Sequence, residues 1–325
     1  MKLPRRQFLH LAAGAAALPA ASRLAWAQAY PARPVHIVVG FGPGTGLDLY
    51  ARIIGQWLSE RLGQPVVIDN RPGAGTNLAT ESVVNAPPDG YTLLMASTAA
   101  FTNATLYDNL RFNFIRDIAP VASLSRGAFV MVVNPSFAAR TVPEFIAHAK
   151  ANPGKINVAS GGIGTANHVA GEMFKTMAGI DMVHVPYRSD GAALTDLLGD
   201  RIQVYFVALA GAAGFIRDGK VRALGVTTAD RTSAFPQIPA IGEFVPGFEA
   251  NLRNGLGAPR GTPAEIIETL NAAVNAGLND PTIKARFADL GSETAPLTPA
   301  EWGKIIVEET EKWGKVIRAA GIKAQ

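Results

Sequence analysis

Apolar positions along this chain switch between two periods. Val35 to Val39, Val66 to Ile68 and Tyr91 to Ala96 are short apolar or β-branched runs bounded by Gly, Pro, Asn or Asp, the pattern of buried strands. Between the first two, Leu49 to Leu62 carries Leu49, Arg52, Ile53, Gln56, Trp57 and Glu60 at helical spacing, and Gly63-Gln64-Pro65 stops it. Strand, helix, strand is the unit that builds parallel sheets. The pattern resumes in strands at Phe129 to Val133, Ile156 to Ala159, Met182 to Val185, Ile202 to Val207 and Val221 to Thr227. Helices are expected at Val142 to Ala151, Thr165 to Ala178 and Gly191 to Gly199. From Arg260 the chain turns helical. Thr262 is the expected N-cap with Pro263 at the first helical position, and Pro281 and Pro299 open two more helices. Trp302, Ile306, Glu309, Trp313 and Val316 share one face of the last helix, as a core stripe does.

The most informative segment joins the first strand to its helix. Gly40-Phe41-Gly42-Pro43-Gly44-Thr45-Gly46-Leu47-Asp48 brings unpaired backbone N–H groups to the positive end of a helix dipole, which makes an anion receptor from main chain alone. Ser160-Gly161-Gly162-Ile163-Gly164-Thr165 follows a strand in the same way, and so does Pro186-Tyr187-Arg188-Ser189-Asp190-Gly191. Each alone is also what a tight connection needs. Three together, at the carboxyl ends of strands, point to binding.

Residues 1 to 27 change the electrostatic picture. Lys2, Arg5 and Arg6, then the apolar Leu11 to Ala21, then Ala25-Trp26-Ala27 form an export signal with cleavage expected after Ala27 and a periplasmic product. Arg5-Arg6-Gln7-Phe8-Leu9 resembles a twin-arginine motif with Pro4 in place of a hydroxyl residue, so the general secretory route stays open. The whole chain has a formal charge of +4, and the leader's four basic residues account for all of it. No basic nucleic-acid footprint remains. The chain has no cysteine, which excludes disulfides and a thiolate nucleophile. His36, His148, His168 and His184 fall in no metal-binding spacing, and no nucleophile elbow surrounds Ser160. Neither a metal nor a cofactor is expected, and the case for an enzyme is weak.

Several motifs carry a resemblance. Phe41 to Asp48 with Ala51-Arg52, Leu62 to Val67 running into Asn70-Arg71-Pro72-Gly73-Ala74-Gly75, Pro88-Asp89-Gly90-Tyr91, Ala151-Asn152-Pro153-Gly154-Lys155, His184-Val185-Pro186-Tyr187 and Ala258-Pro259 with Gly261-Thr262-Pro263 resemble the tripartite tricarboxylate transporter receptors, or Bug proteins, in order along the chain. The resemblance implies an α/β, type II-like periplasmic binding protein of two lobes, each a mixed sheet flanked by helices. One lobe would comprise 28–130 plus 251–325, the other 131–250. It implies a monomer that takes a small carboxylate from solution and delivers it to membrane transporter subunits. Carried onto this chain, the ligand contacts are Phe41, Pro43, Gly44, Thr45, Gly46, Asp48 and Ser97 on one side. On the other they are Ser160, Gly164, Thr165, His168, Tyr187 and Ala192. Asp48 also reads as a first-turn acid that steadies its helix, and His168 as a loop brace.

Departures from the family pattern bear on specificity. Leu47 stands where Thr is frequent, and Val207-Ala208-Leu209-Ala210-Gly211 where an acid and a hydroxyl are common. Both changes imply a ligand with an apolar body, such as an aromatic or longer-chain acid. Arg253 reads equally as a bidentate carboxylate clamp and as a solvated linker arginine. A nucleotide-dependent oxidoreductase is the alternative, with Gly40 and Gly42 as a dinucleotide turn and Asp69 as the ribose-binding acid.

Overall fold

A computed structural model describes residues 30–187 and 190–323. The leader with its cleavage site, and Arg188 and Ser189 of the third turn, lie outside the described residues.

The chain begins β1 (Val35–Val39), α1 (Gly46–Leu62), β2 (Val66–Asn70), α2 (Asn77–Val84), β3 (Thr92–Ser97), α3 (Thr98–Leu106) and α4 (Phe114–Asp117). It continues through β4 (Ile118–Val133), α5 (Val142–Ala151), β5 (Asn157–Ser160), α6 (Ala166–Ala178), β6 (Val183–Pro186), α7 (Asp190–Leu198), β7 (Val204–Ala208), α8 (Leu209–Arg217) and β8 (Arg222–Val226). It closes with β9 (Asn251–Pro259), α9 (Ala264–Asn279), α10 (Pro281–Asp289), β10 (Ser292–Thr294) and α11 (Pro299–Ala319). Strand order is β2-β1-β3-β9-β4-β7-β5-β6, with β8 and β10 also paired to β4. The outer strands run parallel to one another: β1 with β2 and β3, and β5 with β6 and β7. The middle of the sheet is antiparallel, because β9 pairs with both β3 and β4.

β4 links the two sets of strands. Its first part, Ile118 to Ala128, pairs with β9 through two register shifts, and its second, Phe129 to Val133, pairs with β7. Only that second part reads as a strand in the sequence. The first contains Ser123, Ser125 and Arg126, so it lacks an apolar run, yet Ser123 and Ser125 are fully buried. α1 also starts earlier than expected, at Gly46, and Leu47 extends its buried face by a turn, at helical spacing from Tyr50, Ala51 and Ile54. The tail corrects one expectation: Thr262 does not cap α9. Its hydroxyl donates to Pro259 O at 2.8 Å, and the helix starts at Ala264 with Pro263 in the cap position. α11 opens as its sequence suggests, with Thr298 and Glu301 forming a reciprocal capping box ahead of Pro299.

Three apolar clusters cover the sheet. One packs β1, β3 and β9 against α1, α9 and α10, and another packs β4 and β7 against α7 and α8. The third runs through both sets of strands: Phe101 of α3 and Trp302 and Trp313 of α11 belong to the same cluster as Phe145, Phe174 and Phe206. Trp302 and Trp313 are wholly buried, each contributing roughly 2–3 kcal/mol by the usual area scale. The close approach of α11 to β9 depends on Gly255, where a Cβ would lie 2.4 Å from the Trp302 ring.

Candidate functional site

The first turn is built around Asp48. Gly44 adopts φ +79°, and its N–H donates to Asp48 Oδ2 at 2.8 Å. Arg52 Nε donates to the same oxygen at 2.8 Å, and Asn70 Nδ2 reaches Oδ1 at 2.9 Å and Phe41 O at 2.9 Å. Asp48 is 1% exposed. Burial pushes its carboxyl up, but the Arg52 hydrogen bond, the Gly44 amide and Asn70 outweigh that and hold it below the ordinary range. Thr45 is extended before the helix and its hydroxyl does not cap it; instead it donates backward to Gly42 O at 2.8 Å. The first N–H groups of α1 therefore have neither an intrahelical acceptor nor a side-chain cap.

The second turn repeats the first. Gly164 has φ +77°, and its N–H donates to a side chain four residues on, here His168 Nδ1 at 2.9 Å. Thr165 is extended, caps nothing, and donates backward to Gly162 O at 2.7 Å. Both threonines also make a backbone bond to the same glycine carbonyl, Thr45 N to Gly42 O at 3.4 Å and Thr165 N to Gly162 O at 3.3 Å. Gly-x-Gly-Thr is thus used twice to set a helix N-terminus open at the carboxyl end of a strand. Open N-termini of this kind favour anions through both their N–H groups and their dipole.

Histidines brace the second turn. The His168 and His184 rings stack at 3.7 Å between centroids, and His184 Nε2 lies 2.6 Å from Ser160 Oγ. Because Gly164 N–H donates to Nδ1, His168 is neutral with its proton on Nε2. Burial, then His184 and then Lys175 bring the His168 pKa down to about 3; burial and Lys175 bring His184 down to about 4. Ser160 is fully buried in this network. Tyr187 N–H ties the third turn to the second through Ser160 O at 2.9 Å, while the Tyr187 hydroxyl donates to Asp196 at 2.8 Å. Burial and that carboxylate push the Tyr187 hydroxyl up to about 12. Asn167 donates to the Tyr205 hydroxyl, which bonds Asp190, so α6 and α7 begin in one network. Ala192 lies exposed in the first turns of α7.

Ser97 and Arg253 form a separate group. Ser97 ends β3, stands opposite Asn254 in the register, and has a buried hydroxyl without a partner among the described residues. Thr98, the next residue, accepts from Arg253 N–H at 2.9 Å. Arg253 is no solvated linker arginine: its Nε is buried and has no partner among the described residues, and burial lowers its pKa against the opposing pull of Glu309. Glu309 itself is buried on α11, with Oε1 accepting from Lys312 and Oε2 without a partner among the described residues.

Three of the side chains behind the specificity expectation, Leu47, Val207 and Leu209, belong to the core. Leu47 is buried in the cluster with Tyr50 and Ile54, and Val207 and Leu209 are buried with Tyr205. Their side chains face the core, so they do not make the cleft apolar. Phe41 and Ile163 do stand out from the first two turns, 38% and 37% exposed. The dinucleotide alternative also loses its parts. Asp69 Oδ2 is engaged by His36 Nδ1 at 2.9 Å, and a Cβ on Gly40 would lie 2.6 Å from Thr76 Cβ, so that glycine accommodates the chain itself. Sequence reasoning missed Asn70, Asn167 and Thr98 as bracing groups; Arg52 was detectable as the i+4 partner of Asp48. A cavity of about 70 Å³ between Arg126, Leu209, Thr228 and Ser292 includes none of the turn residues. No group of three or more metal-ligating side chains occurs among the described residues, and no helix there is long and apolar enough to cross a membrane.

A sheet of two parallel wings joined by antiparallel strands, with helix N-termini open at strand ends, defines an α/β binding protein. Residues 50–322 match the family described as tripartite tricarboxylate transporter family receptor, and the chain belongs to it. It is 33% identical over 300 residues to the protein BugT of Bordetella pertussis, covering 91% of this chain and 92% of BugT. The R. palustris protein Rpa4515, solved with adipate, is 33% identical with a TM-score of 0.80, covering 90% of this chain and 99% of its own. MatC from Rhodopseudomonas palustris, solved with bound malate, is 30% identical with a TM-score of 0.76, covering 89% and 100%. The family is one of binding receptors, not enzymes.

Proposed function

We propose that this protein is an exported, monomeric periplasmic receptor that captures a small organic carboxylate and delivers it to the membrane subunits of a tripartite tricarboxylate-type transporter. The repeated Gly-x-Gly-Thr turn carries the reading, since each copy offers a carboxylate a set of unpaired helix N–H groups. Residues 28–130 with 251–325 form one lobe and 131–250 the other, with β4 crossing between them, the chain returning just ahead of β9, and one turn in each lobe. Adipate and malate in the two relatives support a carboxylate here as well. Phe41 and Ile163 favour one with an apolar body, through their exposed side chains on the two turns. Gly44, Thr45 and Gly46 bind from the first lobe together with Pro43, Phe41 and Ser97. Gly164, Thr165, Tyr187 and Ala192 bind from the second, and Arg253 contributes charge from the hinge. Asp48, His168 and Ser160 shape the turns from behind. Closure of the lobes would exchange the ligand's hydration for fixed donors.

A thermal-shift screen of mono-, di- and tricarboxylates and aromatic acids tests this. A ligand present at about 100 times its dissociation constant adds roughly 2.7 kcal/mol of stability. Stabilisation by neutral sugars or amines alone would show the carboxylate assignment to be wrong.

A further inference from the structure

Strand register places Arg253 beside the first turn. Val39, the last residue of β1, stands opposite Met95 of β3, and Ser97 of β3 stands opposite Asn254 of β9. Arg253 N–H donates to the Thr98 hydroxyl just past the end of β3. Arg253 is therefore level with the start of the glycine turn at Gly40 and two strand spacings from it, roughly 10 Å. An arginine side chain and a short ligand together span that gap.

The charge there is not balanced from within. Arg253 stands directly opposite Arg126 of β4, so both side chains leave the same face of the sheet, and like charges in that position repel. Arg126 pairs with Glu293 at 3.1 Å, but both side chains are about half exposed, and such a pair is weak. Arg253 has no ion pair among the described residues. Glu309 and Glu249 attract it from a distance, yet Glu309 accepts from Lys312 at 2.6 Å and Glu249 accepts from Asn251. Arg253 Nε is buried without a partner among the described residues, while the terminal nitrogens are neither hydrogen-bonded there nor enclosed. The guanidinium fork thus has a sealed base and an open end. A neutral side chain would suit the ligand-free protein better, because a half-buried guanidinium without an acceptor destabilises the fold that holds it.

We propose that Arg253, reinforced by the charge of Arg126, binds a second acid group on the ligand, so that the receptor takes linear dicarboxylates. One carboxylate is held by the N–H groups of the turns, the other by the Arg253 fork, and an apolar chain lies between them. A guanidinium presents paired donors that match both oxygens of a carboxylate, which a lysine cannot do. Phe41 and Ile163, exposed on the two turns, suit the chain in between. This inference rests on the carboxylate-receptor reading and narrows it from acids with an apolar body to acids charged at both ends.

The test titrates adipate and hexanoate, the same carbon chain with two acid groups or one, into the unmodified protein, R253Q and R253K by calorimetry. The unmodified protein is expected to bind adipate at least about tenfold more tightly than hexanoate, as a charge-assisted pair would make it. R253Q is expected to bring the two affinities within about twofold of each other, and R253K to retain part of the preference through its charge. Without ligand, R253Q should melt no lower than the unmodified protein, because the guanidinium it lacks has no acceptor there. A markedly lower melting temperature would make Arg253 a structural residue and overturn the inference. Affinity for adipate no greater than for hexanoate in the unmodified protein would also overturn it and leave the receptor reading standing. So would a preference that survives in R253Q, by placing the second acid group elsewhere. If the unmodified protein bound neither acid nor any other of the screen, the carboxylate reading and this inference would fall together.

Discussion

Asp48 and His168 hold equivalent positions in the two turns, yet they perform the task with opposite chemistry. An ionised carboxylate can accept from Gly44, Arg52 and Asn70 together, whereas a neutral imidazole accepts once, from Gly164, and relies on stacking for the rest. Asp48→Ala should therefore cost about 2 kcal/mol, the value of hydrogen bonds to a buried charge, and should weaken carboxylate binding because Gly44 loses its anchor. Arg52→Ala should cost clearly less than Asp48→Ala, since its side chain is 51% exposed and solvent screens the pair. Urea denaturation of both variants checks this, and an equal loss from the two would contradict it. The pairing of Asp48 with Arg52 was legible as an i+4 spacing. Asn70 was not, since it arrives from the next strand, and Leu47 misled because a residue in a ligand turn can still point its side chain into the core.

At the scale of elements, the strand-to-helix units of each wing were legible because their apolar runs are short, dense and bounded by turn residues. The antiparallel middle was not. β9 and the first part of β4 bury Ser123, Ser125, Asn251 and Asn254, and this polarity hides a strand from any hydrophobic count. A buried amide and hydroxyl, Asn254 Nδ2 to Ser125 Oγ at 3.0 Å, do there what a Val–Val pair does in the wings. The two Gly-x-Gly-Thr turns were visible separately, but their shared geometry needed dihedral angles. That geometry separates two substitutions which look alike on paper. Gly44→Ala meets nothing within 4 Å and suffers only the left-handed φ, about 1–2 kcal/mol. Gly164→Ala carries the same strain and in addition drives a Cβ to 2.6 Å from Leu106 Cδ1 of α3, adding about 1–3 kcal/mol of overpacking. Chemical denaturation should rank Gly164→Ala as clearly the less stable; equal values would mean that Leu106 yields freely.

For the whole molecule, the decisive feature is the apolar cluster shared by α3, α11, α5, α6 and β7, which binds residues from both sets of strands into one body. Destabilisation of the second turn should then be felt everywhere, and pH provides the probe. Unfolded histidines take up protons near pH 6.5, whereas folded His184 and His168 resist until about 4 and about 3. Between those limits the unfolded chain holds more protons, so stability is full above pH 6.5 and declines as the pH falls. The slope is at most about 1.4 kcal/mol per pH unit for each histidine, and the window closes near pH 4 for His184 and near pH 3 for His168. Protonation of His168 at Nδ1 would also remove the acceptor for Gly164 N–H, so the second turn should lose its shape together with the fold. Calorimetric scans from pH 7 to pH 4 should show a single transition moving steadily to lower temperature. A flat melting temperature would contradict the buried neutral pair, and two transitions of which only one moves would contradict the shared core.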